Sequence, residues 1–223
     1  MKVYKVQCEN DKNMVMKRII LLSLLGQMLC LGMYSQVRMR DVFASAPDSV
    51  FPLLTRNNRL DCIDFIENKM PARVKNRLDN VVELVKLNDA YLQLRTSERS
   101  VVEMRLFSDS LFCLIHTYMG PAPDSHVCFY DTAWKHVAVE LPCPTIGDYW
   151  LAVPDSLARE ADTAQRAMAD LTLVHIEASD AAPTLTFTLQ NGELEKKERE
   201  VAQRYVQPLV YRWDGISFVR QQE

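Results

Sequence analysis

Val101-Val102-Glu103-Met104-Arg105-Leu106-Phe107, then Ser108-Asp109-Ser110, then Leu111-Phe112-Cys113-Leu114-Ile115-His116-Thr117-Tyr118, reads as two antiparallel strands joined by a polar turn. Val102, Met104 and Leu106 alternate with Glu103 and Arg105, the period-two pattern of a pleated strand. On that pattern one face is expected to be buried and the other wet. Similar short runs flank the pair, at residues 82–87, 91–95 and 126–131, with 134–139 as a candidate sixth strand. Polar or Gly/Pro punctuation separates them, at Asn88-Asp89, 96–100 and 120–125. Residues 81–139 are therefore expected to form an antiparallel meander.

Before the meander, residues 37–70 read as helical. Pro47-Asp48-Ser49 offers a cap for residues 50–54, and Asn57-Asn58 interrupts. Leu60, Ile63, Ile66 and Met70 then lie on one helix face. After it, residues 140–148 form a connector with two prolines and a glycine. Helix-then-strand order follows again. Pro154-Asp155-Ser156 is placed to cap a helix over 157–169, and strands are expected at 171–178 and 184–190. A polar helix over 193–205 carries a thin stripe of Leu194, Val201 and Tyr205. Residues 209–213 and 216–219 flank Asp214-Gly215, a two-residue hairpin signal. The fold class is α+β, helices packed on antiparallel meander sheet. The repeated order admits two similar units meeting near 140–148 within one domain over 36–223. Pro-Asp-Ser recurs at 47–49, 123–125 and 154–156, which helix capping and turn chemistry account for without a ligand loop.

The segment 1–35 reads as a leader outside the fold. Met16-Lys17-Arg18 precedes a mostly apolar run over 19–33, then Tyr34-Ser35-Gln36, the basic–apolar–small layout of a secretory signal peptide. As helix that run spans about 22 Å, short of a hydrocarbon core about 30 Å thick, so no stable membrane span is expected after cleavage. Cleavage is expected after Ser35, with a cut before Met33 as the alternative. Leu29 before Cys30 argues against lipidation. Glu9 and Asp11 are unusual ahead of such a run and suggest an over-long start across 1–15, with initiation at Met14 or Met16.

The whole sequence has 26 Lys and Arg against 29 Asp and Glu, net −3. Five of the 26 and two of the 29 fall in 1–35, so residues 36–223 carry 21 positive and 27 negative side chains, net −6. An acidic chain without a basic cluster is a poor partner for nucleic acid or anionic lipid. Its 48% hydrophobic content suits a globular core and excludes low-complexity disorder.

Catalytic signatures are missing. With six glycines there is no P-loop, no GxGxxG and no GxSxG, and HExxH does not occur. His116 and His126 are placed to approach across the hairpin, with Asp124 or Asp131 as further candidates. Zinc needs three or four ligands, and spacing alone supplies no others, so no metal or cofactor is assigned. Asp61/Asp64 and Glu198/Glu200 read as solvated helix faces. Tyr205, Tyr211, Trp213 and Phe218 read as core before they read as a sugar platform. Cys62, Cys113, Cys128 and Cys143 remain after leader removal. Cys113 and Cys128 flank the hairpin loop and are a candidate disulfide in an exported protein, with buried free thiols as the alternative.

Phe51-Pro52-Leu53-Leu54-Thr55-Arg56-Asn57-Asn58-Arg59-Leu60-Asp61, running into Ile63-Asp64-Phe65, and the closing Pro208-Leu209-Val210-Tyr211-Arg212-Trp213-Asp214-Gly215 with Phe218 resemble a family of small secreted Bacteroidales proteins. That family is a domain of unknown function, number three-two-five-six. The resemblance covers nearly all of the chain after the leader. It implies a periplasmic or surface protein of a Gram-negative anaerobe and carries no catalytic residues. The order of elements is also similar to β-lactamase-inhibitor-type folds, which bind proteins. The expectation is an exported binding or accessory protein of the cell envelope with a protein or small-molecule partner. The rival readings are a hydrolase using His116 or His175 as base, and a binder of a small apolar ligand.

Overall fold

The computed structural model describes residues 36–190 and 194–221. The leader assigned to 1–35 lies outside them. Two short helices come first among the described residues, α1 (Met39–Ala44) and α2 (Arg56–Glu67). Six strands follow: β1 (Arg73–Lys75), β2 (Val81–Leu87), β3 (Tyr91–Ser97), β4 (Ser100–Ser108), β5 (Leu111–Met119) and β6 (Pro123–Tyr130). They pair in sequence order, each antiparallel to the next. Two 3-10 turns (Ile146–Tyr149, Asp155–Leu157) lead to α3 (Ala158–Asp170), β7 (Val174–Ala178), β8 (Thr184–Leu189), α4 (Lys196–Tyr205), β9 (Leu209–Trp213) and β10 (Phe218–Arg220). The last four strands make a second antiparallel sheet in the order β10-β9-β8-β7. The α+β class and the meander are as the sequence reads. Helix α4 lies between β8 and β9 without interrupting their pairing, and it makes the second half differ from the first in order.

Alternation on β4 sorts the core. Leu92, Leu94, Val102, Met104, Phe112 and Leu114 face α1 and α2 and form one apolar cluster with Met39, Phe43, Cys62 and Ile63. The opposite face is not wet, contrary to the sequence expectation. Tyr91, Cys113, Ile115 and Phe129 belong to a second cluster with Ile176, Leu185, Phe187, Ala164, Met168 and Tyr149. Glu103 and Arg105 are buried on that face, at 4% and 6% exposure. The second sheet covers them, and a period-two pattern does not record what docks on its polar side.

The start of α2 also differs from expectation. Residues 50–54 are turns, and Asp48 and Ser49 cap nothing. Thr55 caps the helix, its hydroxyl accepting from the Asn58 backbone N–H at 3.2 Å while the Asn58 side chain accepts from Thr55. Asn57-Asn58 therefore starts the helix instead of interrupting it. Its buried face is Arg59, Cys62 and Ile63, whereas Leu60 and Met70 are exposed. Arg59 donates to the carbonyls of Leu54, at 2.7 Å, and Ala46, which ties the preceding loop to the helix. Before α3, Pro154-Asp155-Ser156 enters the second 3-10 turn, and no side chain caps the helix at Leu157. Residues 134–139 make one isolated bridge, His136 to Tyr130, not a strand. At the closing hairpin Gly215 adopts φ +108°, where a side chain would be strained, and Asp214 accepts from the N–H groups of Ile216 and Ser217.

Candidate functional site

The seam between the two sheets is built from polar side chains. β7 is an edge strand, and its outward N–H groups at residues 174, 176 and 178 have no partner strand. Val174 donates to Asp124 Oδ1 (3.2 Å), Ile176 to Ser125 Oγ (2.9 Å) and Ala178 to Glu103 Oε2 (3.2 Å). Three side chains of the first sheet thus end the β7 ladder and leave no open edge there. The Pro-Asp-Ser at 123–125 accordingly does tertiary work at β6 that turn chemistry did not anticipate.

Glu103 also accepts from the Tyr91 hydroxyl and from Gln93 Nε2 at 3.3 Å. Burial raises its carboxyl above the ordinary range, although the three donors pull the other way. Burial, then the Glu103 carboxylate, pushes the Tyr91 hydroxyl up as well. Arg105 donates to the Asp180 carbonyl at 3.0 Å, Asn88 to the same oxygen at 3.1 Å, and Lys86 pairs with the Asp180 carboxylate. This constellation is perturbed, but it is sealed and committed to holding the sheets together. It has the pKa signature of an active site without access for a substrate.

The sequence candidates fall in separate places. His116 and His126 are cross-strand partners on β5 and β6, on the face that carries α1 and α2. Burial and the neighbouring His126 lower the His116 imidazole. Asp124 and Asp131 do not join them: Asp124 accepts from Val174, and Asp131 from the N–H groups of Ala133 and Lys135. Cys128 was not assigned there by spacing, yet its sulfur stands 3.3 Å from His126 Nε2. Cys113 and Cys128 are separated by register. Cys113 opposes Phe129 and Cys128 opposes Leu114, so the two thiols point to opposite faces, and both are free. Burial pushes the Cys62 thiol up to about 12 and raises Cys113 also.

His175 lies on β7 with Glu177, alternating with the core residues Ile176 and Ala178. Glu177 Oε2 is 3.9 Å from its Nδ1, and no Ser, Thr or Cys side chain bonds to the ring among the described residues. His116 and His175 sit on different sheets and form no common site. Phe218, half-buried, packs on Phe107 and Phe129 at the margin of the second core, and Trp213, also half-buried, packs on Phe107 and Phe218, with centroids 5.1–6.2 Å apart across the cluster.

One concavity was not signalled by the sequence. A cleft of about 860 Å³ is lined by residues 148–151 and 207–210, with Arg220 and Gln221. Leu151 donates to the Tyr205 carbonyl and Gln207 to that of Tyr149, while Gln221 donates to Val210. The 205–210 stretch therefore pairs first with 149–151 and then with the β10 end, and the cleft is lined where the two pairings part. Arg220 donates to the Asp148 carbonyl at 3.2 Å. The Tyr149 hydroxyl and Trp150 Nε1 are buried with no hydrogen-bond partner among the described residues. Leu151 is 45% exposed and Val219, on the edge strand, 50%. The volume is in the range of ligand sites, and the unpaired groups are mainly donors.

A family model described as a protein of unknown function (DUF3256) matches residues 31–218. Among solved structures, the chain is similar to a domain of an uncharacterized protein from Porphyromonas gingivalis W83. The two share 28% identity over 83% of this chain and 98% of that one, with a TM-score of 0.67. No curated protein matches the chain.

Proposed function

This chain belongs to the DUF3256 family of proteins of unknown function, and on that premise we propose that it is an exported, non-enzymatic binding protein of the cell envelope. The observation that carries the reading is the cleft at residues 148–151 and 207–210. It combines the exposed Leu151 side chain and the Arg220 guanidinium beside the short edge strand β10, with the unpaired Tyr149 hydroxyl and Trp150 Nε1 buried beneath. Such a surface suits a polypeptide partner that brings carbonyl or carboxylate acceptors. The buried, perturbed groups elsewhere are occupied in joining the sheets, which favours binding over catalysis. The leader layout at 16–35 and the net charge of −6 after it support export and argue against nucleic acid.

The test is cross-linking and affinity purification of the tagged chain from its native envelope, with the N-terminus of the recovered protein read by mass spectrometry. The expected result is one partner enriched with the wild type and with Leu78→Asp, and lost with the cleft variant Leu151→Asp/Arg220→Glu. A partner retained by a folded cleft variant, or none with the wild type, removes the reading. An uncleaved N-terminus removes its export component.

A further inference from the structure

We propose that Cys128 is a covalent modification site, a thiol that His126 activates and that forms mixed disulfides with low-molecular-weight disulfides. His126 and Cys128 stand two residues apart on β6, so they share a face of the strand. Cys128 Sγ lies 3.3 Å from His126 Nε2. That is the nucleophile-and-base contact a reactive thiol needs, because the thiolate is the attacking species. His126 is exposed and can exchange its proton with water. Cys128 is half-buried beside it, on the last strand of its sheet.

The other cysteines of the fold set the contrast. Cys62 and Cys113 are fully buried, and burial holds both thiols protonated. Cys143 is exposed, but no imidazole bonds to its sulfur among the described residues. Only Cys128 joins access to a base.

The surroundings select the reaction. Cys113 is turned to the opposite face of the sheet. Cys62 packs beside Ala72 and Leu84 of β2, four strands from β6 in sheet order. No resolving thiol is therefore at hand among the described residues, and an exchange stops at the mixed disulfide. Such an exchange asks for little more than a thiolate with an open line of attack. His126 Nε2 takes the thiol proton, and Cys128 Sγ attacks one sulfur of the small disulfide. The new Cys128 S–S bond forms as the S–S bond of the reagent breaks. The departing thiolate takes the proton back from the imidazolium. The small disulfide is the oxidant: one of its sulfurs leaves as a thiol, and Cys128 is oxidised.

The test incubates the folded, reduced full chain with 2-hydroxyethyl disulfide, a neutral probe, and follows each cysteine by peptide mass spectrometry. At about pH 7 Cys128 should be modified about tenfold faster than Cys143 or more, with Cys62 and Cys113 spared. His126→Gln should slow the reaction of Cys128 by about tenfold or more at that pH. Its rate should approach the wild type well above the ordinary thiol pKa of about 8.5, where no base is needed. A histidine that only supports the strand would lower the rate at every pH. Cys143→Ser should leave the rate at Cys128 unchanged, and unfolding in urea should erase the preference for Cys128. Circular dichroism checks that each variant is folded. The proposal is overturned if the wild type takes up no probe or if Cys128 reacts no faster than Cys143. It is overturned equally if His126→Gln matches the wild type at about pH 7, if its deficit persists at high pH, or if the preference survives in urea.

Discussion

Glu103 shows how strongly position governs a side chain. By pattern it is the polar half of an alternating strand. In the fold it is 4% exposed and accepts from Tyr91, Gln93 and the Ala178 N–H. Three donors favour the carboxylate, yet burial prevails and the folded carboxyl holds its proton above the ordinary 4.5. A raised folded pKa means that the native state binds more protons than the unfolded chain over the interval between the two values. The stability from this group is complete below the ordinary glutamate pKa and is lost as pH rises through the folded value. Urea unfolding of the wild type and Glu103→Gln, from below 4.5 upward, should therefore show a difference that changes with pH, the wild type losing ground as pH rises. A pH-independent difference would mean that Glu103 ionises as freely in the fold as in the unfolded chain. Arg59 makes a related point. It stands inside a motif that carries the family resemblance, and its 1% exposure and bonds to Ala46 and Leu54 show a structural task.

At the scale of elements, β7 is the informative strand. It is five residues long and lies at the end of its sheet. Such an edge invites pairing with another chain unless it is covered. Here side chains do the covering, and Ser125 is the central one. Its Oγ accepts from Ile176 N at 2.9 Å and lies 2.9 Å from the Thr117 hydroxyl. Ser125→Ala should strand a partly buried N–H and cost about 1–3 kcal/mol in chemical denaturation. The amide of Ile176 should lose hydrogen-exchange protection while those of the β4–β5 hairpin keep theirs. Uniform loss across both sheets would show that the Ser125 contact does not act locally. The helices illustrate the same dependence. Leu60, Ile63, Ile66 and Met70 predict one buried face, but the observed face is rotated to Arg59, Cys62 and Ile63. A polar residue with carbonyls to bond can sit inward, and an apolar count does not weigh that.

For the molecule as a whole, the six-stranded sheet serves two cores, one against α1 and α2 and one against the second sheet, α3 and α4. Val37–Glu223 is one contact unit. The two cores share the strands β3 to β6, so neither half is expected to fold alone. A fragment of residues 36–139 would expose Tyr91, Ile115, Phe129 and the uncompensated Glu103 and Arg105. It should be insoluble or lack cooperative unfolding, whereas the chain 36–223 should melt in one transition. A soluble, cooperatively folding fragment would show two independent units.

The sequence alone determined the local order of elements, because period-two alternation, Asp-Gly at 214–215 and polar punctuation act over a few residues. It also placed the family, through the motifs at 51–65 and 208–218. Some of what it could not decide depends on partners far along the chain. The second sheet turns the polar face of β4 inward, and register puts Cys113 and Cys128 on opposite faces while bringing Cys128 to His126. The cleft at 148–151 and 207–210 exists only where two pairings of one stretch diverge. The bonds between the sheets join residues 50 to 94 apart, and strand register depends on which strands pair; neither leaves a periodicity in sequence, so tertiary structure alone decided them.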